Sequence, residues 1–306
     1  MKNLLNYKGT YLILIFLIAF YNYINNNLEI LDNIRNFKTS LIFFLYFLSF
    51  INYLFKAKIN VSLYKFFKIN LDIFESLLLI IKSAAINLSS PVNLGTGYKF
   101  YYLKKNYNLD YFDNFSINTA YAIFLNFAYI LFIALLLVFQ SSFLIYIKLL
   151  ITFLFIVIIF FLIFFFKKLE ILTSFKNKNS FWSNVIKRFI NGFLIFKNEK
   201  HNSLRLFFDT LIYNGITFLY IKFIFYSFGL DVQIKSIILL HFLSSIINIV
   251  KLTPGNIGIL EVFLIFFQGI HGVSTNEIIL LSICSRILSF SSILIILLIE
   301  KFKLKS

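Results

Sequence analysis

Residues 142–166 read SFLIYIKLLITFLFIVIIFFLIFFF, a run with one charged side chain, Lys148. A helix rises about 1.5 Å per residue, so about 20 such residues cross a hydrocarbon core about 30 Å thick. Further apolar runs occupy about 10–24, 39–55, 115–139, 206–229 and 278–299. The chain of 306 residues is 60% apolar and 14% charged, whereas a soluble domain is about half apolar and about a quarter charged. The excess lies in runs too long and too numerous for a soluble core. The reading is an all-α polytopic membrane protein with about six full spans, forming one transmembrane domain over 1–306. The first run follows Lys2 and Lys8 and ends at Asn25, Asn26 and Asn27. No small-x-small cleavage pattern follows it, so it is expected to be a retained helix and not a removed signal.

A net charge of +16 would suggest nucleic acid in a soluble protein. In a membrane protein it has a simpler meaning, because lysine and arginine collect in cytoplasmic loops. Basic clusters stand at Lys2 and Lys8; at Lys56, Lys58, Lys65 and Lys68; at Lys99, Lys104 and Lys105; through 167–205; and at Lys301, Lys303 and Lys305. No nucleic-acid partner is expected. With every cluster cytoplasmic, an even number of crossings must separate 56–68 from 167–205. Runs 115–139 and 143–166 supply two, so 73–97 must enter and leave on one side. The same parity returns 236–270 to the side from which it enters. These two stretches, interrupted by Pro91 and Pro254, are therefore expected to be re-entrant helical hairpins, the first from the cytoplasm and the second from outside. Broken backbone at membrane depth is tolerated only where protein or a polar cavity covers it, so both hairpins are site candidates.

The hairpins resemble each other. Pro91-Val-Asn-Leu-Gly-Thr-Gly-Tyr-Lys-Phe100 aligns without a gap on Pro254-Gly-Asn-Ile-Gly-Ile-Leu-Glu-Val-Phe263, and proline, asparagine, glycine and phenylalanine coincide. Asn114 and Glu277 lie equally far past their prolines, each where the next apolar run starts. Identity at equal spacing, with approach from opposite sides, gives an inverted repeat of span, hairpin and span: repeat 1 about 39–139, repeat 2 about 206–299. Many secondary transporters hold substrate in this architecture. Between the repeats, Phe181, Trp182, Val185, Ile186, Phe189 and Phe193 recur at helical spacing with Lys187 and Arg188 between them. The 167–205 segment thus suits a basic amphipathic helix lying in the interface.

The deepest ionisable groups are Lys82, Lys251, Glu261 and Arg286. Each costs about 2.5–3.5 kcal/mol at a helix centre, so partners or water are expected. Glu261 and Arg286 can pair, or the planar fork of Arg286 can hold a lipid phosphate. Lys82 and Lys251 have the alternative of snorkelling. Gly95, Gly97, Gly255 and Gly258 expose amides that suit a phosphate, or else permit close helix packing, with Pro91, Gly97 and Pro254 as hairpin breakers. Asn93 and Asn256 can satisfy carbonyls that the prolines free. Glu75 is expected at the surface. Cys284 excludes an intrachain disulfide. His201, His241 and His271 lack metal-ligand spacing, so neither cofactor nor metal is expected.

Leu252-Thr-Pro254-Gly255-Asn-Ile-Gly258-Ile-Leu-Glu261, followed by Arg286 in the next apolar run, resembles a signature of the flippase-like transmembrane region of lysylphosphatidylglycerol synthases, the multiple peptide resistance factors. There the pattern is Pro-Gly-Gly-x-Gly-x-x-Glu and then a helix bearing Arg. Pro91-x-x-Leu-Gly95-x-x-x-Lys99 is similar to that family's earlier Pro-x-x-x-Gly-x-x-x-Arg/Lys, which adds Lys99 to the candidates. The resemblance spans essentially the whole chain. It implies a lipid flippase in the inner or plasma membrane, acting on a polar-headed phospholipid, anionic or modified. In two-domain members a soluble domain transfers lysine onto phosphatidylglycerol; this chain ends at Ser306, so a stand-alone, non-enzymatic member is expected, with a separate lipid-modifying enzyme as a candidate partner. Two features depart from the pattern. Asn256 replaces the second glycine, and 115–139 lacks the family's charged pair, leaving Asn118 and Asn126. Rival readings are a membrane subunit of an aminoacyl or glycosyl transferase acting on lipids, and an envelope scaffold.

With both termini and 167–205 cytoplasmic, single cysteines in a Cys284→Ser background report the topology. Sites near Ser141 and Gly272 should react with an impermeant reagent from outside, and sites near Lys104 and Asn179 should not. External labelling near Lys104 would mean that 73–97 crosses the membrane and would break the inverted repeat.

Overall fold

Where apolar side chains crowd a backbone away from water, a helix satisfies its own hydrogen bonds, and every regular element among the described residues is helical. The computed structural model describes residues 34–90, 94–122, 199–247, 253 and 256–303. A 3-10 turn, Thr39–Leu41, leads into α1 (Ile42–Lys65). Then come α2 (Ile73–Ser89), α3 (Leu94–Tyr107) and a helix over 111–122. After residue 199 follow α4 (Lys200–Ser227), α5 (Ile234–Ile247), α6 (Ile259–Phe266), the single turn α7 (Gln268–His271) and α8 (Thr275–Lys303). Thr39–Lys65 and Thr275–Lys301 are long and apolar enough to cross a membrane. α4 matches them in length but carries Asp209, Asn214 and Lys222. The runs 10–24 and 143–166, the rest of 115–139 and the amphipathic stretch up to 198 lie outside the described residues.

Two helices outlast their apolar runs. α1 continues past 55 through Lys56, Lys58 and Lys65, and α3 continues past 97 through Lys104 and Lys105. Lysine is a fair helix former, and its long stem reaches partners without leaving the helix. The Lys56 ammonium stands 5.5 Å from the Tyr53 ring centroid and 5.6 Å from that of Tyr213. Lys58 pairs with Asp209 at 2.8 Å. A lysine cluster therefore marks where hydropathy falls, not where the helix stops.

The chain reverses at each proline-bearing break. On α2 and α3, Tyr107 donates to both oxygens of Glu75 at 2.7 Å and Tyr102 to Oε1 at 2.8 Å. Toward the break, the Gly95 N–H donates to Asn87 Oδ1 at 2.8 Å. Residues early in α2 thus meet residues late in α3, an antiparallel pair. Glu75, expected at the surface, is half-buried under two tyrosines. α6 and α7 likewise fold back on α5: a side chain placed on Gly272 would meet Ser236 Oγ at 3.9 Å. His271 holds the kink between α6 and α7 by bonding Leu264 O through Nε2 at 2.8 Å, while its Nδ1 accepts the Val273 N–H at 3.0 Å.

Helix limits recur at the interval that separates Pro91 from Pro254. α1 ends at Lys65 and α4 at Ser227; α2 starts at Ile73 and α5 at Ile234. α3 spans Leu94–Tyr107, and α6 with α7 spans Ile259 to His271. The helices after the hairpins start at 111 and at Thr275. Shifted by that one interval, each boundary falls almost on its counterpart. Among the described residues, helix ends thus recur within a few residues at that interval.

The chain divides into two compact units, one of Met1–Ile51, Ile81–Thr96 and Ile216–Ser306, the other of Asn52–Ile80 and Gly97–Gly215. The first has a core of Leu45, Leu48, Ile224, Phe225, Ile237, Leu240, Leu264 and Leu281. Within it α1 and α8 are joined by Tyr46 and Ser291 at 2.8 Å and by Ser49 and Ser292 at 3.2 Å, polar links typical of helices packed in lipid. The second unit is built around Leu63, Tyr64, Leu79, Leu103, Ile117 and Leu206. Phe43, Phe47, Val262, Phe266, Ile287 and Phe290 point outward and are more than half exposed, a surface suited to acyl chains and costly in water.

A Cβ on Gly95 would collide with Ser83 O, whereas one on Gly97 would meet nothing within 4 Å. Gly95→Ala should therefore melt lower than the parent, reflecting about 1–3 kcal/mol of forced repacking. Gly97→Ala, inside α3, should leave melting unchanged or slightly higher. Equal melting of the two variants in detergent would show that the close approach of α2 and α3 is not a constraint.

Candidate functional site

The break in the second hairpin is assembled from its own residues. The Asn256 N–H closes a turn on Thr253 O at 3.0 Å, and Thr253 Oγ1 donates to Ile257 O at 2.8 Å. Asn256 then sits at φ +58 and Gly258 at φ +84. Asparagine is among the few residues besides glycine that enter the left-handed region readily, which explains how it can stand where the resembling pattern has glycine. α6 starts just after Gly258, and Glu261 Oε2 reaches back to accept the Gly258 N–H at 2.8 Å. An acid in the first turn also suits the positive end of the helix.

That carboxylate is buried, and its other oxygen needs a cation. Arg286 on α8 supplies one, with Nη2 to Glu261 Oε1 at 2.5 Å. The Arg286 Nε donates to Ser282 Oγ at 3.1 Å, Ser282 donates in turn to Glu261 Oε1, and Nη2 approaches Asn256 O at 3.4 Å. Cap, counter-charge and freed carbonyl therefore form one network between the hairpin break and the following helix. Of the two sequence readings of Arg286, this geometry displays the ion pair with Glu261.

The first hairpin solves the same problem differently. The Gly95 N–H, at the repeat position of Gly258, is capped from the preceding limb by Asn87. Lys99 projects from α3 to Asn60 Oδ1 on α1 at 2.7 Å and to Asn118 Oδ1 at 3.3 Å, with its ammonium 5.1 Å from the Tyr64 ring centroid. In each repeat a charged residue of the second limb, Lys99 or Glu261, thus reaches the helix that follows. Lys82 sits apart from both networks, paired with Glu300 at 2.6 Å. Gly97 is exposed within α3 and does not mark the break. Pro91, Asn93, Lys251, Pro254 and Gly255 lie outside the described residues.

Sequence reasoning missed Asn60, Tyr64, Asn87, Asn114, Ser282 and Glu300. Ser282 was within reach, since it lies one turn before Arg286 on the same helix face. The asparagines were not, because the chain is rich in asparagine throughout and nothing in spacing separates a buried one from a loop one.

Breaking the Glu261–Arg286 pair from either side should leave a half-buried charge without its counter-charge. Glu261→Gln and Arg286→Gln should each lose about 3 kcal/mol or more, and the double variant should recover much of that loss. Thermal melting of the three purified variants checks this; additive losses would mean that the groups do not interact.

A family model for the lysylphosphatidylglycerol synthase TM region matches residues 9–298. Comparison with curated proteins finds no match, and neither does comparison with solved structures. The match covers both hairpins, both polar networks and the segment between the repeats. It brings the chain into a membrane, lipid-related setting, in keeping with its all-helical elements and outward apolar surface. This chain belongs to the family of the lysylphosphatidylglycerol synthase transmembrane region.

Proposed function

We propose that the chain is a lipid translocase of the inner or plasma membrane, carrying a polar-headed, anionic or modified phospholipid between leaflets while its acyl chains stay in lipid. The observation that carries this reading is the pair of broken helical hairpins repeated at one interval. The limbs of the first, Ile73–Ser89 and Leu94–Tyr107, have 17 and 14 residues, about 26 Å and about 21 Å as helices and short of a bilayer core of about 30 Å. In this reading both hairpins are re-entrant, from opposite faces, among about six full spans with cytoplasmic termini. Alternating access through inverted repeats then needs only one repeat to rock against the other. The family match supports the lipid as cargo. In this reading the role is transport without catalysis, and a separate enzyme modifies the lipid.

Purified protein reconstituted into liposomes containing a fluorescent phosphatidylglycerol provides the test. An impermeant quencher added outside should extinguish nearly all the probe in proteoliposomes, as inner-leaflet lipid is carried out to it, and only the outer-leaflet probe in empty ones. Identical quenching of the two preparations would overturn the translocase reading.

A further inference from the structure

The mouth of the second hairpin, where α5 sets out and α7 returns toward α8, holds a cavity of about 460 Å³. Small-molecule sites fall between about 300 and 1,000 Å³. Its walls carry both signs of charge: Asp231 ahead of α5, Lys235 in the first turn of α5 and Glu277 in the first turn of α8. In the topology expected from the charge pattern, this end of the hairpin faces the outside together with Gly272.

Asp231 and Lys235 are near neighbours in sequence, yet among the described residues neither side chain forms an ion pair or a hydrogen bond. Glu277 commits one oxygen, Oε2 accepting the Ser274 N–H at 2.7 Å, and leaves Oε1 open. His271 serves as a wall, since its Nε2 and Nδ1 are both engaged. Ser236 is the residue that points to a ligand. It lines the cavity and is 5% exposed, and its Oγ lies 3.9 Å from where a Cβ on Gly272, also of the lining, would stand. Buried helix serines elsewhere return the hydroxyl to a carbonyl of the preceding turn, Ser227 to Ile224 O at 2.6 Å and Ser292 to Leu288 O at 2.7 Å. Ser236 makes no such bond among the described residues. A buried hydroxyl without a partner is rare, and the cavity beside it is where a partner fits.

One molecule matches this set only if it carries both charges. A cation alone leaves Lys235 unmatched, and an anion alone stands against Asp231 and Glu277. We propose that the cavity binds a small zwitterion, its ammonium on Asp231 and Glu277 Oε1 and its anionic oxygen on Lys235 and the Ser236 hydroxyl. Hydrogen bonds to charged groups of this kind are the strong ones. An ammonium beside an acid group is shared by free amino acids and by the ethanolamine phosphate headgroup of a phospholipid. The site shares no residue with the Glu261–Arg286 network and does not rest on the translocase reading.

Full-length protein in an uncharged detergent is titrated with free glycine, phosphoethanolamine and phosphatidylethanolamine, with melting temperature as the readout. Ethylamine and acetate, each with one half of the charge pattern, are the controls. At least one zwitterion should raise melting at a concentration about tenfold or more below that at which either control acts. A rise confined to phosphatidylethanolamine identifies a lipid headgroup; a rise with free glycine or phosphoethanolamine shows that the zwitterion suffices without acyl chains. Asp231 is exposed and Lys235 half-buried, so Asp231→Asn and Lys235→Gln should melt as the parent does, and each should weaken binding about tenfold. Ser236→Ala, which removes only the unpartnered hydroxyl, decides the matter if either variant fails to fold. No rise with any zwitterion, a rise matched by ethylamine or acetate, or parental affinity in the folded variants would overturn the site. Translocation is not read here, so a failure of liposome transport leaves this site standing.

Discussion

A helix that begins among apolar side chains presents N–H groups that no water is there to accept, and leaving one unpaired in such surroundings costs several kcal/mol. In this chain the repeated glycine of each hairpin stands at that point, and each has its N–H accepted by a side chain at 2.8 Å, Gly95 by Asn87 and Gly258 by Glu261. Much of each site follows from how that cap is supplied. Asn87 lies on the other limb, so α3 must start close against α2, and Gly95 has no room for a Cβ beside Ser83 O. Glu261 lies on the helix it caps, so proximity is local and the demand falls on backbone, met at φ +84 by Gly258. The same residue type at the same repeat position thus answers a steric need in one hairpin and a conformational need in the other.

The choice of cap also sets the charge of each hairpin. A neutral amide at Asn87 asks for nothing further. A carboxylate at Glu261 brings a buried negative charge, which Arg286 balances and Ser282 helps orient. The second hairpin is consequently tied to α8 by an ion pair that loses strength with small displacement, because its hydrogen bonds are directional and its surroundings shield poorly. The first hairpin is held by amide and tyrosine contacts, among them the two tyrosines on Glu75. Amide oxygens of Asn60 and Asn118 accept from the Lys99 ammonium. The two hairpins thus differ in electrostatics although their motifs align without a gap.

The fold was legible in the sequence wherever one strong constraint acted alone. Long apolar runs favour helices, and the equal spacing from Pro91 and Pro254 anticipated helix limits that recur at nearly the same interval. Helix ends were less legible, because Lys56, Lys58, Lys104 and Lys105 continue their helices while ending the hydropathy signal. The Glu261–Arg286 pair could be named from charge in apolar context, where few partners compete. Lys82 stands out as a deep charge, but its partner Glu300 lies near the far end of the chain, where no local pattern connects the two. The amide network around Lys99 was illegible in a composition this rich in asparagine, where burial, not residue type, makes the difference.

The family pattern and its departures fit one physical account. Asn256 stands where the second glycine is expected, and the structure shows what the position demands: a left-handed backbone at φ +58 and a carbonyl near Arg286. Asparagine meets both, where a β-branched residue would be strained. The uncharged run from 115 onward in the helix after the first hairpin follows similar logic. Asn118 there serves as acceptor to Lys99 and donor to Asn114 and Tyr64 at once, a double role that a carboxylate, with acceptors only, cannot fill. An amide at that position therefore joins Lys99 on the hairpin to Asn114 and Tyr64 through one side chain.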